Sequence, residues 1–348
     1  MPPSPLPLPL PRSGRALLGA ALAAAATACA PLRGDPTPRL TAAPPPVAEV
    51  RLDSATVEDG HLVQAVRLRA RDGLTVDLLV KRPAPDAPQT SAAASAAARH
   101  PLVLLLGGHH AGRDAARLIP DTRGHAVVAL SYPYQGRHRL NLWQAIRAAP
   151  AVRRAVLDTP RSVRLALDWL VAQPWADASR VEGVGASLGT PFMTVTTAVD
   201  PRITRLWSVH GAGDNYRLLA HGTRAYVGWK PARAVAVRAA SALVEARAFD
   251  ADRWVARVSP RPFVMINATD DERLPRAAID RLWDAATAPK ERVWMPGRHV
   301  QRNRPEIVRA LVATVLRRMQ ADAPGDATGD ATGDPTAPAQ TTRPPDPR

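Results

Sequence analysis

The chain has 348 residues, 46% of them hydrophobic, enough for one large buried core, and α/β folds keep that length in a single domain. The formal charge is +15, but its arginines are spread among acidic residues with no basic block, no aromatic-interleaved RNA-binding pattern and no zinc-finger spacing, so no nucleic-acid partner is expected. The single cysteine, Cys29, excludes an intramolecular disulfide and a Cys-based zinc site.

At the N-terminus, Arg12 and Arg15 form a short basic stretch before the apolar run Ala16 to Ala26, which is too short to span a bilayer as a mature helix. The run ends in Ala26, Thr27, Ala28 and Cys29, which resembles the lipobox of bacterial lipoproteins, with Ala26 where leucine is commoner. That resemblance implies a signal peptide over 1–28, lipidation of Cys29, and a membrane-anchored lipoprotein on the periplasmic or extracellular face of the cell envelope. Cleavage after the Ala-x-Ala pattern, with Cys29 incidental, is the alternative; both readings export the protein. Residues 29–46, with Pro31, Pro36, Pro38 and Pro44 to Pro46, read as a stiff linker unable to pack as helix or strand, so the folded domain is expected over 47–320. Residues 321–348, with the GDATGDATGDPT repeat from Gly325, carry no apolar periodicity and read as a disordered low-complexity tail.

Val47 to Asp53, His61 to Arg69 and Leu74 to Lys81 alternate apolar and polar residues around a turn at Asp72 and Gly73, which predicts an antiparallel start to a sheet. Continuous apolar runs then follow at Leu102 to Leu106, Ala126 to Leu130, Val181 to Val184, Ile203 to Val209, Phe263 to Ile266 and Arg292 to Met295, as in strands buried on both faces. Helical segments separate many of them. One is predicted over Pro160 to Ala172, with Thr159 as N-cap and Pro160 at the first helical position. Alternating strands and helices predict an α/β class with a mostly parallel central sheet and helices on both faces.

Gly185, Ala186, Ser187, Leu188 and Gly189 form a G-x-S-x-G between an apolar strand and the helical stretch Phe192 to Val199. A serine on such a strand-to-helix turn faces the positive end of a helix, where developing negative charge is favoured. Together with ALDWL (Ala166 to Leu170), DASR (Asp177 to Arg180) and VGASLG (Val184 to Gly189), the motif resembles the α/β-hydrolase superfamily, in particular its dienelactone-hydrolase, acetyl-xylan-esterase and prolyl-oligopeptidase-like branches.

The resemblance implies a catalytic triad in the order serine, acid, histidine, and no cofactor. Asp271, in NATDDERLP (Asn267 to Pro275) after an apolar strand, stands four residues before a proline, as the family's acid does; Asp270 and Glu272 are the alternatives. His299 follows a short strand and the loop Pro296, Gly297, Arg298, and precedes a helix from about Pro305 to Met319, which is where the family places its base. His210 and His221 precede the acid and fit that order less well. The oxyanion that forms on serine attack needs two fixed N–H donors. Leu188 is expected to supply one and His109, in the loop Gly107 to Gly112, the other. That loop resembles the family's HGG-type loop, although no histidine precedes its glycines and two follow them. Thr190 stands where many relatives carry a further glycine. A metal site at His109 and His110 lacks a carboxylate cluster or an HExxH pattern, so no metal is expected.

Gly211 to Pro260, with Tyr226, Trp229 and Trp254, is longer than a simple crossover and is expected either as a lid or as an ordinary helical crossover with packed tryptophans. Asp214 and Asn215, at its start, either touch substrate or cap a turn. The resemblance thus implies a serine hydrolase acting on a carboxylic ester, small-molecule or polymeric, through an acyl-enzyme. A peptidase or thioesterase of the same fold, or a surface binding protein without activity, are the alternatives. Oligomeric state is not readable from the sequence.

Overall fold

The computed structural model describes residues 35–84, 99–134, 136, 142–225 and 227–321. The signal-like segment with Arg12, Arg15 and Cys29, the tail from 322 onward and Tyr226 lie outside the described residues. The elements, in chain order, are α1 (Thr37–Thr41), β1 (Val47–Leu52), β2 (Thr56–Glu58), β3 (His61–Ala70), β4 (Thr75–Pro83), β5 (His100–Leu106), β6 (Ala126–Leu130), α2 (Leu142–Leu170), β7 (Ala176–Ala186), α3 (Gly189–Val199), β8 (Arg205–Val209), α4 (Asn215–Gly222), α5 (Lys230–Leu243), α6 (Ala251–Trp254), β9 (Phe263–Ala268), α7 (Arg276–Ala285), β10 (Lys290–Met295) and α8 (Pro305–Ala321).

All ten strands join one sheet in the order β1-β3-β4-β6-β5-β7-β8-β9-β10, with β2 paired to β3. The alternating segments form its antiparallel side, and from β6 to β10 the pairing is parallel, with the near-continuous apolar strands in the middle. This division follows from burial: β6 is buried at every position, whereas β1 alternates and is largely exposed; β10, expected to be buried on both faces over Arg292 to Met295, is instead the other edge strand and only partly buried, because no strand among the described residues covers its far side. Two apolar clusters lie on the two faces. On one, Leu102, Leu104 and Leu206 pack with α2, α3 and the crossover after β8; on the other, Val103, Val184 and Val209 face α8 and a short 3-10 segment, Gly112–Leu118. No helix among the described residues is long and apolar enough to cross a membrane.

Three local readings change. The expected helix over Pro160 to Ala172 is the last part of the 29-residue α2, which runs through Pro150 and Pro160. Thr159 is therefore not an N-cap; its hydroxyl donates to the Ala155 carbonyl at 2.7 Å inside the helix. Proline removes one helical hydrogen bond, but the face made by Leu157, Val163, Leu167 and Leu170 is fully buried and holds the helix to the sheet across the break. DASR is a bulge inside β7 rather than a connecting turn: Pro101 pairs with Asp177 and Leu102 already with Val181.

The proline-rich stretch is also more than a spacer. Thr37–Thr41 is helical, because proline is tolerated in a first helical turn, where its N–H would have no partner. Leu40 is fully buried, Arg39 makes a two-point contact with Asp158 at 3.0 and 2.8 Å, and Arg164 donates to the Thr41 and Ala42 carbonyls. The packed structure thus begins before Val47. Leu40→Ala is expected to cost about 2 to 5 kcal/mol of stability, read as a shift in the urea midpoint at unchanged slope; a change under about 0.5 kcal/mol would show that this helix is not part of the cooperative fold.

Candidate active site

The residues that the sequence marks for the triad, and His109 with them, each lie past the carboxyl end of a strand. His109 follows β5, Ser187 follows β7, Asp271 follows β9 and His299 follows β10. In an open parallel sheet these ends lie along one edge, which is how residues 112 positions apart come to share a site.

The turn at Ser187 explains its glycines. Ser187 has φ +53°, a conformation that costs a non-glycine residue about 1 to 3 kcal/mol and lifts the side chain clear of the sheet. A side chain at Gly185 would meet the Thr190 backbone at 2.7 Å, and one at Gly189 would overlap the Leu106 carbonyl oxygen. The close approach of α3 to the ends of β5 and β7 thus forbids side chains on both sides of the serine. Thr190 keeps its place by donating to the Gly185 carbonyl at 3.0 Å.

The Ser187 hydroxyl lies 2.8 Å from His299 Nε2, and His299 Nδ1 lies 2.7 Å from Asp271 Oδ2. The imidazole of His299 and the carboxylate of Asp271 are almost wholly buried. Asp271 Oδ1 accepts the N–H groups of Arg273 and Leu274, both at 2.9 Å. Burial pushes the Asp271 carboxyl up, but the hydrogen bond and charge of His299 and those two N–H groups outweigh it and hold the group below the usual range. An ionised Asp271 requires a proton on His299 Nδ1, which leaves Nε2 free to accept from serine.

The alternatives to Asp271 are placed elsewhere. Asp270 is exposed and bonded to the Thr269 hydroxyl. Glu272 accepts the His299 backbone N–H at 3.0 Å and faces Arg304 at 2.8 Å, while Arg304 also donates to the His299 carbonyl. Burial raises the Glu272 carboxyl, but these donors bring it down to about 2. Glu272 and Arg304 thus bond the histidine's backbone, one at its N–H and the other at its carbonyl.

His210 is the residue that sequence reasoning underweighted. It follows β8 at the same edge, has φ +48°, and lies with Nδ1 3.7 Å from Asp271 Oδ2 and its ring edge-on to His299. Its Nδ1 accepts the Val300 N–H at 2.9 Å, which ties the histidine loop to β8. Its position at a strand end was the available signal; chain order argued against it because order bears on a triad member and not on a support.

Burial, and then the neighbouring His299, hold His210 down to about 4, partly offset by Asp271. Between that value and its ordinary 6.5 the unfolded chain binds a proton that the folded protein does not, so this stabilisation is complete above about pH 6.5 and is lost as pH falls toward 4. Wild type is expected to lose about 3 kcal/mol more than His210→Asn between pH 7 and 4 in urea unfolding; equal losses would sink the account.

Ligand atoms of His210, Asp271 and His299 lie within 4.8 Å of one another, the only such group among the described residues. Their donors are engaged, however: His210 Nδ1 takes the Val300 N–H, and His299 Nδ1 and Asp271 Oδ2 hold each other. His109 and His110 are exposed, with ring centroids 3.8 Å apart, and belong to no such group.

A cavity of about 570 Å³ opens at Ser187 and His299, and Leu188 and the stretch Gly107 to His110 border it. Leu188 and His109, the two residues marked as oxyanion donors, thus border the same cavity as Ser187. Tyr132, which sequence reasoning did not mark, donates to the Gly107 carbonyl at 2.6 Å and holds this loop; burial pushes its phenol up, so it remains a donor.

Gly211 to Pro260 is the crossover and not a lid over this cavity. None of its described residues after Val209 borders the space, and Ala246, Phe249, Trp254 and Val258 pack into the cluster on the opposite face, where Phe249 stacks on Phe192. Asp214 caps α4 by accepting the Arg217 N–H, and Asn215 is bonded to Asp250 and Ala246, so neither meets the cavity. His221 faces the Glu272 carbonyl at 3.3 Å.

A mixed sheet in this order, with a serine at the turn after its central strand and helices on both faces, is the α/β-hydrolase fold. Solved structures of that fold superimpose on most of the chain. The acetyl xylan esterase from Paenibacillus sp. R4 is 15% identical, with a TM-score of 0.52 over 90% of this chain and 96% of its own. Acetyl xylan esterase 1 from Thermoanaerobacterium sp. JW/SL YS485 is 14% identical, with a TM-score of 0.50 over 88% and 99%. The α/β hydrolase GrgF from Penicillium sp. sh18 is 16% identical, with a TM-score of 0.51 over 74% and 99%. No protein-family model matches the sequence, and no curated protein does.

Proposed function

We propose that the chain is a serine hydrolase that cleaves a carboxylic ester through an acyl-enzyme, with Ser187 as nucleophile, His299 as base and Asp271 as its orienting carboxylate. The observation that carries this reading is the unbroken chain of contacts from the Ser187 hydroxyl through both nitrogens of His299 to Asp271. His299 Nε2 takes the hydroxyl proton as Oγ attacks the carbonyl carbon, and Asp271 stabilises the imidazolium. The oxyanion is received by the Leu188 and His109 amides at the mouth of the cavity. His299 returns the proton to the departing alkoxide, accepts one from water as the water attacks the acyl-enzyme, and gives it to Ser187 Oγ as the acyl–Oγ bond breaks and the acid leaves. Esterase names recur among solved structures of the same fold, so esters are the first substrates to assay.

A fluorophosphonate probe is expected to label the wild type at neutral pH and not Ser187→Ala; unlabelled wild type would favour a binding protein without activity. We also propose that the enzyme is exported and held at a membrane surface by acylated Cys29. Mass spectrometry of the mature N-terminus tests this: a free thiol at Cys29 would remove the anchor.

A further inference from the structure

We propose that the cavity beside Ser187 is an acyl-chain pocket and that the enzyme prefers esters of medium-length aliphatic acids, of about eight carbons, over acetyl esters. The inference rests on the reading of Ser187 as nucleophile, since it concerns the group that Ser187 would carry.

The space exists because one crossover is truncated. Between β5 and β6, where a parallel connection ordinarily carries a covering helix, the chain has only the seven-residue 3-10 segment Gly112–Leu118. The face made by Val103, Leu105, Val184 and Val209 borders the cavity between that segment and α8, with Val103, Val184 and Val209 themselves buried. Protein interiors are close-packed, and voids much larger than a water molecule are few, so about 570 Å³ bordered by aliphatic side chains is space that a ligand can fill. It amounts to roughly twenty water-sized volumes, of which the methyl of an acetyl group would occupy about one.

Its shape and chemistry select the occupant. The polar side chains that line it, among them His109, His110, Arg273, Gln301, Arg302 and Asn303, belong to the loops at the carboxyl edge that follow β5, β7, β9 and β10. Farther along, the lining is Val103, Ile119, Leu311, Val315 and Leu316, with no charged or amide side chain to meet a sugar or a peptide. From Gly107 down to Val103 the lining descends four residues of strand, about 13 Å. From Val308 to Leu316 it follows eight residues of helix, about 12 Å. An extended alkyl chain advancing about 1.3 Å per carbon, from ordinary single-bond geometry, spans that depth with roughly nine carbons. The acyl portion is the part of the substrate that stays on Ser187 while the alcohol leaves and water enters, so it is the part for which a persistent apolar enclosure is useful.

The test uses the purified described domain with its flanking chain intact, titrated first with a short-chain fluorophosphonate so that rates are expressed per active site. kcat/KM is then measured for p-nitrophenyl esters from acetate to decanoate, and separately for acetate esters of alcohols of increasing length. The expected result is a rise with each added acyl methylene, at most the roughly three- to four-fold that full burial of a methylene gives and at least about ten-fold in all between acetate and octanoate, with a flatter dependence on the alcohol. Val315→Trp, which fills the deep part of the cavity, is expected to lower the octanoate-to-acetate ratio by ten-fold or more. Ala115→Leu, a smaller intrusion from the opposite wall, serves as the second variant if the first yields no titratable sites. An octanoate-to-acetate ratio below ten in a titratable enzyme, or a ratio that both variants leave unchanged, overturns the acyl-pocket proposal while the hydrolase reading stands. Absence of any titratable serine overturns the hydrolase reading instead.

Discussion

Ser187→Ala is expected to lower kcat/KM on an activated ester by roughly 10⁵-fold or more, and His299→Ala by a similar amount. A hydroxyl is a poor nucleophile until its proton has somewhere to go, and His299 Nε2, at 2.8 Å, is the acceptor placed to take it. Because the proposed mechanism joins the two groups in one proton transfer, the double variant is expected to be no slower than either single one, within a few-fold. What remains would be the contribution of the proposed oxyanion donors, the Leu188 and His109 amides, and of substrate binding. Steady-state rates of the three variants, corrected for folded protein, test this. Additive losses in the double variant would mean that the two residues act in separate steps.

The second large effect is expected at Asp271. Asp271→Asn preserves size but exchanges a buried carboxylate oxygen, 2.7 Å from His299 Nδ1, for a group that no longer demands a proton on that nitrogen. The imidazole can then settle in the tautomer that bonds poorly to serine, and a loss of roughly 10⁴-fold in kcat at neutral pH is expected. The neighbouring Asp270→Asn is the control. Its carboxylate is exposed and bonded only to Thr269 among the contacts described here, so its effect should stay within about two-fold. If the two substitutions had interchanged effects, the acid would be Asp270 and the loop would have to rearrange on substrate binding.

Much of this geometry could be read before any coordinates. Ser187 was legible because two glycines must flank it, and the reason is local: α3 passes so close to β5 and β7 that any side chain at Gly185 or Gly189 meets backbone. His299 was legible because a short strand and a helix frame it. Asp271 was separable from Asp270 only through the family resemblance, since both aspartates lie in one loop and differ in which way they point. His210 and Tyr132 were hidden. Each acts by bonding to backbone across a long chain separation, Val300 in one case and Gly107 in the other, and a bond to a carbonyl or an N–H leaves no mark on the sequence of its partner.

The same division holds for the fold. Hydrophobic periodicity by itself determined the antiparallel entry, the buried parallel strands and their chain order, because strand period and burial on one face or two are properties of neighbouring residues. Helix limits were not determined in this way. Pro160 looked like a start because proline favours a first turn, and only the packing of α2 on the sheet carried the helix through it. Proline-rich residues 37–41 looked like a spacer until Leu40 was seen buried and Arg39 paired to Asp158, 119 positions away. The tertiary structure alone decided that the crossover after β8 packs away from the serine and that the short segment after β5 leaves an apolar space beside it. Both depend on which elements meet across the sheet, and an interaction between distant segments is set by their joint arrangement rather than by the residues of either one.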